Sequence, residues 1–162
     1  MSIEVRPAHS QDAEAIARIF NEGIAERRAT FETAEQQPAR FEAAIERGDL
    51  VLVAERGSRV AGAAWVGPYA DEHDYYAGVG EATLYVEAEA RRAGIGQALL
   101  ERLAADAPGH GFHKLVGKLF TSNEPSLALL HACGWDEVGV HRRHGELDGE
   151  WKDVLVVERL LG

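Results

Sequence analysis

Apolar residues in this chain alternate in short runs and then shift to helical spacing, several times over. Ile3 and Val5 alternate up to Pro7, which predicts a first strand. Ser10 is placed to cap the next segment, with Asp12 and Glu14 in its first turn, where the helix dipole favours acids. Ile16, Ile19, Phe20 and Ile24 then recur at helical spacing. "ERRATFETAEQQ" is polar and irregular, with Phe31 as its one large apolar residue. Pro38 fits the first turn of a second helix, which carries Phe41 and Ile45 and stops at Gly48.

The next two runs, "LVLVAE" and "RVAGAAWVG", flank the turn "RGSR" and predict an antiparallel hairpin. "PYADEHDYYAGVG" is rich in aromatics and acids and has no period. A strand "EATLYVEA" leads into a glycine-spaced basic knot, and a helix carrying Ile95, Leu99 and Leu103 follows. "KLVGKLF" reads as a strand. "NEPSLALLHACGW" reads as a helix with Asn123 as its cap, Pro125 in the first turn and Gly134 as the stop. Two closing strands, around "DEVGVHR" and "WKDVLVVERL", surround a turn at "LDGE". Without repeats or a linker, residues 1–162 are expected to form one domain of mixed α/β (α+β) class.

Charge narrows the choice of ligand. Asp and Glu number 27 against 17 Lys and Arg, giving a formal net charge of −10. Nucleic acid and anionic membrane surfaces are repelled at long range, so neither is an expected partner. No apolar run is long enough to span a bilayer, and the start lacks a signal-peptide core. Cys133 is the single cysteine, so no internal disulfide forms, and the cytoplasm is the expected location.

Against this acidic background, Arg91 and Arg92 stand beside Gly94 and Gly96 where a helix begins. The first N–H groups of a helix lack intrahelical partners and lie at its electropositive end. Glycines let an anion approach them, and arginines add charge-assisted hydrogen bonds. The spacing is neither a Walker loop nor the dinucleotide fingerprint. Taken alone, it fits an ordinary helix start as well as a phosphate site.

Strand, Arg91-x-x-Gly94-x-Gly96, helix, strand, then Asn123 opening a helix that ends in Gly134-Trp135, resembles the GNAT acetyltransferases. "IFNEGIAERRATFE", "VGEATLYV" and "GVHRRHGELDGEWKDV" are similar to the branch containing phosphinothricin, arsinothricin and methionine sulfoximine N-acetyltransferases. The resemblance implies a mixed, mostly antiparallel central sheet flanked by about four helices, with a splayed strand pair at the cofactor site. It also implies acetyl-CoA as acetyl donor, held by Leu84, Tyr85 and Val86, by Arg91, Arg92, Ala93, Gly94, Ile95, Gly96 and Gln97, and by Asn123. Tyr85 fits either a cofactor contact or a core aromatic.

Acetyl transfer to an amine requires that the nitrogen lose a proton. The resemblance gives that task to Glu81, expected to be partly buried among Tyr75, Tyr76 and Leu84. The implied reaction is direct transfer to a small amino acid or amino-acid-like toxin. Another amine, such as a polyamine or a protein N-terminus, is one alternative, and a non-enzymatic acyl-CoA-binding module is another. The substrate cleft is expected to be lined by Phe31, Tyr75, Tyr76 and the "RRHGEL" stretch. There Arg142 or Arg143 holds a carboxylate or sits in surface ion pairs.

Two positions depart from the branch. Leu130 stands where many members have a His or Tyr able to protonate the leaving thiolate, and His131 lies roughly 100° further around the helix. Ala77 and Gly78 replace an Arg-Trp pair suited to phosphinothricin. His110 with His113, and His141 with His144, are expected in loops or at strand ends without a third ligand, so no metal is expected. Cys133 is expected in the core, and the late strand to contribute to a homodimer.

Overall fold

The computed structural model describes residues 2–70 and 73–162. In chain order the elements are β1 (Ile3–Pro7), α1 (Ala13–Glu26), α2 (Pro38–Glu46), β2 (Val51–Arg56), β3 (Arg59–Pro68) and β4 (Val79–Val86). They continue with α3 (Ile95–Asp106), β5 (Lys114–Phe120), α4 (Glu124–Ala132), β6 (Asp136–Leu147) and β7 (Glu150–Leu160). The strands form one seven-stranded sheet in the order β1-β2-β3-β4-β5-β7-β6. Every neighbouring pair is antiparallel except β4 and β5, which run parallel. Among the described residues no helix is long and apolar enough to cross a membrane.

Alternation along the strands assigns each side chain to one of two layers. Val51, Val53 and Ala63, with Trp65 and Tyr85 beside them, meet Ile16, Phe20 and Phe41 of α1 and α2. Their neighbours in sequence, Leu52, Ala54, Ala64 and Val66, face the opposite way. There they pack with Ile95, Leu99 and Leu103 of α3, and Leu129 and Leu130 of α4 join them. Cys133 belongs to this second core, as its apolar surroundings suggest. Each helix buries one stripe against one face, so the sheet is the shared wall of two cores.

The start of α1 differs from the expectation. Ser10 does not cap it; residues Ser10–Asp12 form a 3-10 turn. The Asp12 carboxylate instead accepts the His9 N–H at 2.7 Å and is gripped by both guanidinium nitrogens of Arg6, at 2.8 and 3.0 Å. A carboxylate fixed by a guanidinium is the stronger acceptor, and it takes the place a hydroxyl would have held. Arg6 also reaches Glu55 at 2.9 Å, joining β1, β2 and the helix entry.

The closing strands run further than the pattern indicated. Pairing of β6 with β7 continues to Leu147 opposite Glu150, across an irregularity between His141 and Gly145. His141 and His144 therefore lie within a strand rather than at its end, with their rings stacked 4.3 Å apart.

Hydrogen bonding from Arg6 holds the Asp12 carboxyl below the usual carboxylate range, outweighing the opposing effect of burial. Its contribution is complete above the unfolded value of about 4 and is lost as pH falls through the lowered folded value. Asp12→Ala should lower unfolding free energy by roughly 2–3 kcal/mol at neutral pH. In urea titrations the gap to wild type should narrow as pH falls below about 4, since the wild-type carboxylate is then protonated too.

Candidate active site

The parallel neighbours β4 and β5 stay together briefly. Val79, Gly80 and Glu81 pair with Lys114, Leu115 and Val116, and the ladder stops there. Beyond Glu81, β4 remains bonded to β3 as far as Val86 opposite Gly62, while β5 follows β7 to Phe120 opposite Val154. The facing edges separate into a fork, and a cleft of about 550 Å³ occupies it. Its walls include residues 81–85 from one prong and 117–120 from the other.

Strand alternation divides the cleft into two sides. Leu84, Leu129 and Leu130 wall it on the α3–α4 side, with Asn123, Ser126 and Trp135. Asn123 caps α4 as expected, its side-chain oxygen accepting the Ser126 N–H at 3.4 Å. Trp135 is only 3 % exposed, and its indole N–H is a buried donor without a partner among the described residues. Such a donor in the wall suits a ligand that brings an acceptor.

The other side carries charge. Glu81 sits at the last paired position of the fork, and its carboxylate lies 3.2 Å from Lys118 Nζ. Phe31 closes this side with its ring edge-on to Phe120 at 4.8 Å, and His144 and Gly145 approach from β6. Arg40 also lines the cleft, but Glu32 binds its guanidinium at 3.0 Å and it lies over the rings of Phe20 and Phe41.

The glycine knot follows at the head of α3. The backbone N–H groups of residues 92–97 find no protein acceptor among the described residues; the first helical bond runs from the Ala98 N–H to the Gly94 oxygen. Gly94 has φ +87° and Arg92 φ +65°, a left-handed turn that brings successive N–H groups into one concave surface. Gly94 is therefore demanded by backbone conformation. At Gly96 a Cβ would lie 2.7 Å from a methyl of Leu129, so that side chain would have to shift to admit one.

Arg91 and Arg92 part company. Both outer nitrogens of Arg91 bind the Glu26 carboxylate at the end of α1, one at 2.7 Å, and its Nε donates to the Val86 oxygen at 3.2 Å. Hydrogen bonding from Arg91 holds Glu26 below the usual carboxylate range. Glu22, one turn earlier, accepts the Ala88 N–H at 2.6 Å. Arg92 is exposed and makes no ion pair among the described residues. Gln97 turns along its own helix to Glu101 at 3.1 Å.

Several residues assigned from sequence lie elsewhere. Tyr85 borders the cleft, but its ring belongs to the aromatic core, stacked on Trp65 and edge-on to Phe20; burial pushes its hydroxyl up to about 12. Val86 is not part of the cleft wall. Tyr75 and Tyr76 stand on a 3-10 turn beyond the fork, 72 % and 42 % exposed, and do not line the cleft or enclose Glu81. Arg142 and Arg143 are exposed and also outside it. They are turned away by the β6 irregularity, where Arg143 takes φ +48° and donates its N–H to Asp153. His144, Gly145 and Lys118 occupy the wall instead. For Lys118 the sequence offered a weak signal, a lysine between the apolar residues of "LVGKLF"; its place two residues past the partner of Glu81 comes from the strand register.

Gly78 is bare because a Cβ there would collide with the His113 ring, so a bulky residue has no room at that position. Among the described residues, no group of three or more His, Cys, Asp or Glu is arranged to hold a metal ion.

Comparison with known proteins agrees with this geometry. The chain is 34 % identical to phosphinothricin N-acetyltransferase of Streptomyces viridochromogenes, over 94 % of this chain and 84 % of that protein. It is 29 % identical to L-amino acid N-acyltransferase MnaT of Escherichia coli, covering 96 % and 92 % respectively. Among solved structures, a GNAT superfamily phosphinothricin acetyltransferase from Sinorhizobium meliloti in complex with acetyl-CoA superposes with TM-score 0.91 at 28 % identity, over 100 % of this chain and 90 % of that one. The acetyltransferase (GNAT) family matches residues 15–135, a span that contains both prongs of the fork and both helices behind them, and the chain belongs to that family.

Proposed function

We propose that the protein moves an acetyl group from acetyl-CoA directly to the amine of a small amino acid or amino-acid-like compound. The observation that carries this reading is the fork, which puts the Glu81 carboxylate where the unpaired edges of β4 and β5 begin to part. An extended, amide-bearing arm is the kind of ligand that satisfies an open strand edge. The free N–H groups of residues 92–97 suit the pyrophosphate at its far end, with Arg92 as the available cation. Leu84 and Asn123 would flank the arm. The names of the relatives in Streptomyces viridochromogenes and Escherichia coli support an amino acid or its analogue as acceptor.

Bound acetyl-CoA supplies an acetyl thioester, from which the thiolate leaves as the new amide bond forms. In this reading Glu81, directly or through a water, takes the proton that the attacking amine loses. Backbone N–H groups on the free edge near Leu84 polarise the carbonyl under attack. Leu130 has no proton to give the departing thiolate. The exposed Val138 and Val140 on the edge strand β6 and Trp151 at the start of β7 support the homodimer expected from sequence.

Replacing Arg92 by Ala should raise the KM for acetyl-CoA roughly tenfold while thermal stability stays at wild type. Arg91→Ala should instead lower the melting temperature, because it removes the bidentate partner of Glu26 and the tie to the Val86 oxygen, leaving Glu26 only Arg28 among the described residues. An unchanged acetyl-CoA KM in Arg92→Ala would remove that residue from the phosphate site.

Thiol release from acetyl-CoA over a panel of amines tests the activity, and Glu81→Gln tests its mechanism. The variant should lower kcat by roughly 100- to 10,000-fold with acetyl-CoA binding nearly unchanged. Wild-type kcat at neutral pH, with chemistry shown to limit the rate, would exclude Glu81 as the base. In the same panel phosphinothricin should rank below the better amino-acid substrates. Ala77 stands where the branch carries an anion-pairing arginine, and it lies outside the cleft. Efficient phosphinothricin turnover would contradict that ranking.

A further inference from the structure

We infer that Lys118 is the specificity-determining cation of the cleft, holding the α-carboxylate of an amino-acid substrate while Glu81 receives its amine. The inference rests on the acetyltransferase reading above and adds a residue and a chemical requirement to it. Val116 and Lys118 lie on the same face of β5, and Val116 is the residue opposite Glu81. The lysine therefore projects beside the carboxylate, with Nζ 3.2 Å from it.

The remaining cations do not compete for this task. Arg40 is the other arginine or lysine in the wall, and Glu32 and two aromatic rings already hold it. Arg142 and Arg143 stand outside the cleft. Among the described residues, Lys118 is tied only to Glu81 and to the face of Tyr69, whose ring centre is 5.9 Å away. Its side chain is 48 % exposed, so an incoming ligand can reach it.

The pairing has a chemical consequence. While Lys118 holds Oε1 of Glu81, an amine meets that carboxylate in competition with the ammonium. An α-amino acid carries its amine and carboxylate on adjacent carbons, and it can replace the single internal contact with two. Its carboxylate takes the lysine and its amine takes the glutamate. An amine lacking the carboxylate competes with the ammonium for Glu81 and offers Lys118 nothing in return, which costs affinity.

Thiol release is measured for wild type, Lys118→Met and Lys118→Arg with L-methionine sulfone, L-methionine, L-leucine and L-phenylalanine. Each is run beside the amine left when its carboxyl group is removed. Comparing amino acid with amine in each variant cancels their different basicities. The expected result is a wild-type preference for the amino acids that falls about 10- to 100-fold in Lys118→Met. The fall should come mainly through the amino-acid KM, and Lys118→Arg should recover a large part of it. An unchanged preference in a folded Lys118→Met variant, or a wild-type enzyme favouring the decarboxylated amines, would overturn the role of Lys118 while leaving acetyl transfer standing. Wild type releasing thiol with neither set would overturn both readings.

Discussion

A parallel ladder only three residues long governs this molecule. Backbone N–H and C=O groups in a protein interior need partners, and sheets normally supply them from the adjacent strand. Here β4 and β5 are each held on their outer edge, one by β3 and the other by β7. Their inner edges part after Glu81 and Val116. An enzyme built this way offers its ligand backbone geometry first and side chains second.

The same economy appears at the head of α3. The chain carries a net charge of −10, yet the turn at the head of α3 presents main-chain N–H groups without backbone acceptors among the described residues. Such groups neither titrate nor change rotamer. Arg91 instead works as a strut: with Glu26 and Glu22 it ties the loop to the end of α1. The acidic residues near the knot thus shape it.

Much of the fold could be read from local signals. The runs "LVLVAE" and "RVAGAAWVG" were legible as a hairpin because turn and strands are adjacent in sequence, and β2 and β3 pair antiparallel. Pro38, Asn123 and Gly134 marked real helix ends because each acts within its own turn. What escaped depended on distant partners. Ser10 lost its cap to Asp12 because Arg6 fixed that carboxylate from the neighbouring strand. Tyr75 and Tyr76 are near Glu81 in sequence, but the turn that bears them swings outward. The methyl of Leu129 beside Gly96 could not be foreseen, because it comes from a different helix, α4, later in the chain. Lys118 became meaningful only once β5 was set in register beside Glu81.

The irregularity in β6 bears on how such an enzyme can diversify. Four steps along β6, from His141 to Gly145, match only two on β7, from Val154 to Lys152. The surplus is absorbed by exposed residues that carry no core contact, while His144 and Gly145, just past it, form part of the cleft wall. Bulges re-aim the side chains that follow them. A residue gained or lost at this point would rotate the wall of the cleft without disturbing the β7 residues Val154, Leu155 and Val157 in the cores beneath. Substrate range can therefore drift through changes in strand length as well as through substitutions, with little effect on folding.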